Sequence, residues 1–253
     1  MIDLHYDDTP NNHKIVIMLN EVGLDYRITH YTISRGDHLT PEFSKINPNF
    51  KVPAIVDHAP ADGGPPLPVF ESGAILQYLA DKTEQFLPSD LRRRTLAIQW
   101  LTWQVAGLGP MGGQAAHFVR YAPDGQEYGV KRYSRELLRL LRVLDNRLSE
   151  VDYLAEQYSI ADMACWPGKA YDRVRVSMGM PGLKDFPAIE HWYSRIAERP
   201  AVVACMTDQR LRAPANDVVS TLDARQTLTA EQWSVLFGDR QHAAVGKLRP
   251  SGA

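Results

Sequence analysis

Apolar and polar positions follow two different periods along this chain, and the change of period divides it. In the first part, Ile2 to Tyr6, Tyr26 to Thr32 and Ala54 to Asp57 read as strands, and His13 to Val22 as an amphipathic helix. His58 to Pro68 is rich in proline and glycine and reads as a loop, after which Val69 and Phe70 run into a helix from Ser72 to about Lys82. Periodicity lapses over Thr83 to Asp90, where Pro88-Ser89-Asp90 signals a new helix start. From there to about Gln209 the pattern is helical almost throughout. Leu137, Leu140, Leu141, Leu144 and Leu148 form one apolar stripe with Arg135, Arg139 and Arg142 largely off it, the mark of a helix packed in a bundle. Ser159-Ile160-Ala161-Asp162 is a capping box, with Tyr158 and Met163 placed as a hydrophobic staple, so a firm, buried helix start is expected there.

These elements predict an α/β domain over residues 1–84, an all-helical domain over 85–210 and an extension over 211–253. The extension is polar apart from one short helix candidate at Thr229 to Phe237, on which Trp233, Leu236 and Phe237 would share a face. No internal repeat is visible.

Composition narrows the class. With 253 residues and 44% hydrophobic content the chain can bury a sizeable core. It has no apolar run long enough for a membrane span and no secretory start, so a cytoplasmic protein is expected. Its 28 basic and 30 acidic residues leave a net charge of −2, which gives no electrostatic reason to expect nucleic acid or membrane partners. The two cysteines, Cys165 and Cys205, form no Cys-x-x-Cys pair, which argues against a disulfide framework and a cysteine metal site. Both lie in apolar helical surroundings that favour inert burial.

Two segments carry chemistry. In Asn47 to Asp57, Pro53 opens a strand, and an X-Pro bond at such a turn is where a cis peptide costs little. A cis Val52-Pro53 bond would present the backbone N–H and C=O of Val52 to an extended ligand as an added strand. In Val69 to Leu79, Glu71 and Ser72 set a carboxylate and a hydroxyl at a helix N-terminus, where free N–H groups and the helix dipole favour an anion. Together the two walls suit a small zwitterionic peptide such as glutathione.

An α/β domain with the Val52-Pro53 corner and Glu71-Ser72, followed by a helical domain with Ser159-x-x-Asp162, resembles the cytosolic glutathione S-transferase superfamily over about residues 1 to 210. Within it, Thr9-Pro10-Asn11-Asn12-His13-Lys14, Asn49-Phe50-Lys51-Val52-Pro53, Pro60-Ala61-Asp62-Gly63-Gly64 and Gln104 to Met111 look most like the bacterial nu-class branch, which includes glutathione-dependent disulfide-bond oxidoreductases. The resemblance implies a thioredoxin-like first domain, a helical-bundle second domain and a homodimer.

It also implies roles. Ser72 would bind the γ-glutamyl carboxylate, where the plain alternative is an N-cap, and Glu71 would face the α-ammonium. Val52 would pair with the cysteinyl backbone. Lys51 and His38 stand where the family places groups near the glycyl carboxylate, although a loop histidine is otherwise often a solvated surface group. Thr9 and Asn11, between the first strand and first helix, would favour thiolate over thiol on the bound ligand; an ordinary turn is the competing use. Arg132 would take the carboxylate of a second glutathione moiety or remain a solvated helix charge. Tyr6 is the rival for the sulfur, since some classes use a tyrosine there, but alternation along the strand favours its placement in the core.

The activity implied is thiol-disulfide exchange with glutathione as cosubstrate and no metal. A transferase or peroxidase acting on electrophiles or hydroperoxides, and a non-catalytic regulatory binding protein, remain open.

Overall fold

The computed structural model describes residues 1–169, 176, 182–212 and 227–246. Strand β1 (Ile2–Tyr6) pairs in parallel with β2 (Tyr26–His30), from Ile2 opposite Tyr26 to Tyr6 opposite His30, and helix α1 (Pro10–Val22) connects them. Strand β3 (Ala54–Asp57) runs antiparallel to β1, and β4 (Leu67–Phe70) antiparallel to β3, giving the order β2-β1-β3-β4. As the edge strand, β4 accommodates Pro68, whose missing N–H would break a central ladder. A short helix α2 (Pro41–Ser44) precedes β3, and α3 (Ser72–Thr83) follows β4.

Helix α1 begins three residues before the point the hydrophobic period marks. Pro10 occupies its first position, where a fixed φ and a missing N–H cost nothing, and Thr9 is the N-cap. Asn11 therefore lies inside the first helical turn, not in the connecting loop.

The helical domain comprises α4 (Leu91–Trp103), one π-helical turn (Gln104–Leu108), α5 (Gly109–Arg120), α6 (Glu127–Glu150), α7 (Ile160–Cys165), α8 (Pro187–Ala197) and α9 (Pro200–Thr207). Every leucine of the α6 stripe is buried. At roughly 1.5–3 kcal/mol for each buried leucine side chain, packing outweighs the few tenths that intrinsic propensity contributes per residue. The capping box at α7 forms as expected. Ser159 Oγ accepts from the Ala161 N–H at 3.3 Å, and the Asp162 carboxylate accepts from the Ser159 N–H at 3.0 Å and its hydroxyl at 3.1 Å. Asp162 accepts further from Leu154 N–H at 3.0 Å and Trp192 Nε1 at 2.9 Å, so it ties α7 to α8.

One hydrophobic core runs through both domains, from Leu4, Ile17 and Leu76 to Leu101, Leu144, Ile160 and Trp192. Polar bonds cross the same seam: Glu21 pairs with Arg199 at 2.6 and 2.9 Å, and Asn20 Nδ2 donates to the Ala201 carbonyl at 3.2 Å.

In the extension, α10 (Ala230–Phe237) and α11 (Asp239–Gly246) are described. The face expected at Trp233, Leu236 and Phe237 is only half of its docking. Val235, on the other side of α10, is the fully buried anchor, against Gly36 of the first domain, where a Cβ would lie 3.3 Å from Val235 Cγ1. Phe237 and Trp233 meet His117 of α5, with ring centroids 4.6 and 6.2 Å away. The helix is wedged between the domains, so both of its faces are partly covered.

Candidate functional site

The Val52-Pro53 bond is cis. The β3–β4 ladder starts at Ala54 opposite Phe70, so Val52 stands just outside it, with its backbone beyond the strand pairing. The loop before it is held from within. Asn47, which is buried, donates through Nδ2 to the Lys51 carbonyl at 2.7 Å and accepts from the Asn49 N–H at 2.9 Å. Phe50 takes a left-handed φ of 52°, a conformation non-glycine residues rarely adopt, and its buried ring packs with Phe43 and Ala54.

Across from this corner, Glu71 has a φ of 68° and is the N-cap of α3, although its side chain makes no capping bond. Positive φ at glutamate costs on the order of 1–3 kcal/mol and is usually found where a site needs it. Ser72 is the first helical residue rather than the cap, which removes the plain N-cap reading. Glu71 is left exposed, facing out, while Ser72 is buried at the helix N-terminus.

Behind Ser72 sits a residue that sequence reading passed over. Lys14 of α1 is 3% exposed, and its ammonium donates to Gln104 Oε1 at 2.9 Å and, at the long distance of 3.4 Å, to Ser72 Oγ. Burial pushes its pKa down to about 8, while nearby Cys165 and Glu71 pull the other way. A partial signal was present: Lys14 precedes five consecutive apolar residues, Ile15 to Leu19, a run that marks a buried element without saying what covers Lys14. Gln104 is placed by the π-helical turn, and Gly109 beside it has no space for a Cβ, which would lie 3.0 Å from Gln104 Nε2.

Thr9 does not cap α1 with its side chain. Its Oγ1 instead accepts from Asn12 Nδ2 at 2.7 Å, which leaves the hydroxyl proton to be donated elsewhere. The loop is braced by Asp7, whose carboxylate accepts from the N–H groups of Asp8 at 2.8 Å and Ile33 at 3.1 Å. Asn11 is exposed on the first turn of α1, where Pro10 has no N–H and those of Asn12 and His13 donate to the Thr9 carbonyl. Tyr6 is in the core: it is fully buried, donates to the Leu211 carbonyl at 3.0 Å, and burial pushes its pKa up.

His38 is not a solvated loop group. It is buried edge-on against Phe43, its Nδ1 is without a hydrogen-bond partner, and burial together with the charge of Lys51 pushes its pKa down to about 4. Lys51 reaches solvent, with its own pKa lowered by the packing around it.

Residues 4–81 match the family of glutathione S-transferase N-terminal domains and residues 110–200 that of glutathione S-transferase C-terminal domains. The chain belongs to the glutathione S-transferase family. The disulfide-bond oxidoreductase YfcG of Escherichia coli strain K12 is 48% identical over 219 residues, 86% of this chain and 100% of the relative. A glutathione transferase from Pseudomonas putida, solved with one glutathione disulfide bound per subunit, superposes with a TM-score of 0.76 at 39% identity, covering 82% of this chain and 91% of that one. Another, from Burkholderia graminis and solved with two glutathione molecules bound per subunit, gives 0.75 at 41% identity, covering 83% and 88%.

In this glutathione S-transferase fold the predicted site residues fall into three groups. Thr9 and Asn11 lie at the N-terminus of α1, Glu71 and Ser72 at that of α3, and His38, Lys51 and Val52 on the segments leading to β3. Arg132 stands apart, exposed on the first turns of α6 with Glu136 at 3.8 Å. Cys165 and Cys205 are both buried; burial pushes the Cys165 thiol well up and the Cys205 thiol up to about 12. Among the described residues no cluster of histidine, cysteine or acidic side chains is arranged to hold a metal, and no helix is long and apolar enough to cross a membrane.

Proposed function

We propose that this chain is a glutathione-dependent thiol-disulfide oxidoreductase, acting as a cytoplasmic homodimer. The observation that carries the reading is the pairing of a free hydroxyl donor, Thr9 at the N-terminus of α1, with two cysteines buried as thiols elsewhere. A site built to stabilise a thiolate but holding no reactive cysteine takes its sulfur from the ligand.

Glutathione would lie with its γ-glutamyl carboxylate at Ser72, its α-ammonium facing Glu71, its cysteinyl backbone against Val52 and its glycyl carboxylate toward His38 and Lys51. Its sulfur then meets Thr9 and Asn11, whose donors together with the helix N-terminus lower its pKa. The thiolate attacks one sulfur of a disulfide, forming a mixed disulfide and releasing one thiolate, which takes up a proton. A second glutathione thiolate, its carboxylate received by Arg132, attacks the glutathionyl sulfur, so that glutathione disulfide and the second thiol leave. Two glutathione molecules are oxidised for each disulfide reduced. The fold supplies position and charge; no metal takes part in any step.

Parallel assays with a model dialkyl disulfide, a hydroperoxide and an aryl halide test this. Disulfide reduction is expected to dominate and to collapse in a Thr9→Ala/Asn11→Ala double variant. A wild type that reduces the disulfide no faster than that variant sinks the reading, and faster turnover of the other substrates would make the protein a transferase or a peroxidase.

A further inference from the structure

Lys14 is an expensive residue where it stands. Its neighbours Ile15 to Leu19 are fully buried, and moving an ammonium into such surroundings costs several kcal/mol unless a counter-charge repays it. Among the described residues no carboxylate forms an ion pair with it. Its two hydrogen-bond partners, Gln104 and Ser72, are neutral, Glu71 acts only at a distance, and the Cys165 thiol is held protonated by burial.

The surroundings hold it there. Gln104 is fixed by the π-helical turn and by the close approach of Gly109, and Val105 of the same turn closes on Gly73, where a Cβ would lie 3.0 Å from Val105 Cγ1. Three elements, α1, the π-helical turn and the N-terminus of α3, thus converge behind one hydroxyl. Because the ammonium is only a donor, its contact with Ser72 Oγ turns the hydroxyl proton away from Lys14, toward the front of the helix N-terminus.

We infer that Lys14 is the buried cationic member of the carboxylate subsite at Ser72: the carboxylate of an α-amino acid end supplies the counter-charge that the protein's own side chains withhold from Lys14, and Gln104 positions the ammonium for it. The inference rests on the glutathione reading above and adds a residue and an energetic role to it. Lys14 acts through Ser72 and through its field; it is a positioning residue, not one that touches the reacting sulfur.

The test is a cycle of ligand and protein changes read by calorimetry. Wild type, Lys14→Met and Lys14→Gln are titrated with glutathione, with its analogue carrying 4-aminobutyrate in place of the γ-glutamyl unit, and with the analogue whose glycyl carboxylate is an amide. Both variants are expected to lose about tenfold or more in affinity for glutathione and for the glycyl amide, because the bound carboxylate loses its buried counter-charge. Neither should change for the 4-aminobutyrate analogue, which lacks the carboxylate in question. Equal losses for all three ligands, the signature of a merely structural lysine, or no loss for any, overturn the inference.

A measurement on the unaltered protein is independent of how the variants fold. At pH 8, titrations in buffers of different ionisation enthalpy should show more proton uptake with glutathione than with the 4-aminobutyrate analogue, because the bound carboxylate reprotonates Lys14. Identical uptake overturns the inference. Wild type that binds glutathione normally beside indifferent variants sinks this proposal alone; wild type that binds no glutathione sinks the proposed function with it.

Discussion

Asn47 Nδ2 donates to the carbonyl of Lys51 at 2.7 Å, so a buried amide holds the backbone immediately ahead of Val52, the residue placed to pair with a ligand main chain. The same side chain accepts from Asn49 at 2.9 Å, and the two bonds close the loop on itself.

Asn47→Ala removes both bonds, and the part-buried Lys51 carbonyl and Asn49 N–H lose that partner. The expected cost is about 1–3 kcal/mol in denaturant unfolding, with weaker glutathione binding because Lys51 and Val52 lose their placement. Unchanged affinity in a folded variant would show that the loop keeps its shape without Asn47.

Tyr6 and Thr9 separate structure from chemistry. Tyr6→Phe deprives the buried Leu211 carbonyl of its donor and should lower stability by about 1–3 kcal/mol while leaving turnover of a model disulfide near wild type. Asn11→Ala should leave stability nearly unchanged and reduce turnover; Thr9→Ala should also reduce turnover, at a stability cost of about 1–3 kcal/mol because it strands the buried Asn12 amide. If Tyr6→Phe abolishes turnover while the other two leave it intact, the sulfur is held by the tyrosine.

His38 makes the stability depend on pH. Its pKa is pushed down to about 4 in the fold, against an ordinary value near 6.5, so between these values the unfolded chain holds the extra proton. Stability therefore falls as pH drops through this window, by up to roughly 3 kcal/mol from this group, and His38→Leu should flatten that part of the profile. Nuclear magnetic resonance titration of the imidazole gives the ligand side: glutathione should raise the His38 pKa if the glycyl carboxylate arrives there, and an unmoved value removes His38 from the site.

Asp162 works with the opposite sign. Burial pushes its pKa up to about 6 although four donors pull it back, so it holds a proton that the unfolded chain has already released. Its contribution is fully present below about pH 3.8 and declines as pH rises to about 6. At neutral pH Asp162→Ala still costs roughly 3 kcal/mol or more, because it strands those donors; a denaturation midpoint equal to wild type would show that the α7 start is held by packing alone.

Much of the fold is legible in the residue order because the signals are local. The strand at Ala54 to Asp57, the leucine stripe of α6 and the capping box at Ser159 and Asp162 each rest on a period or a spacing set by backbone geometry. Glu71, Ser72 and the Val52-Pro53 corner were visible for the same reason: a helix start and an X-Pro turn announce themselves within a few residues.

Tertiary structure decided what depends on depth. A helical period places Lys14 on a face of α1 but does not say that α3 and the π-helical turn close over that face, nor that His38 is buried rather than solvated. Sequence likewise marks Trp233 and Phe237 as one face of a helix, while only packing shows Val235 anchoring the other face against Gly36. Pattern along a chain fixes which side chains share a direction. Burial, orphaned charge and shifted pKa arise from elements distant in sequence, and they exist only once those elements meet.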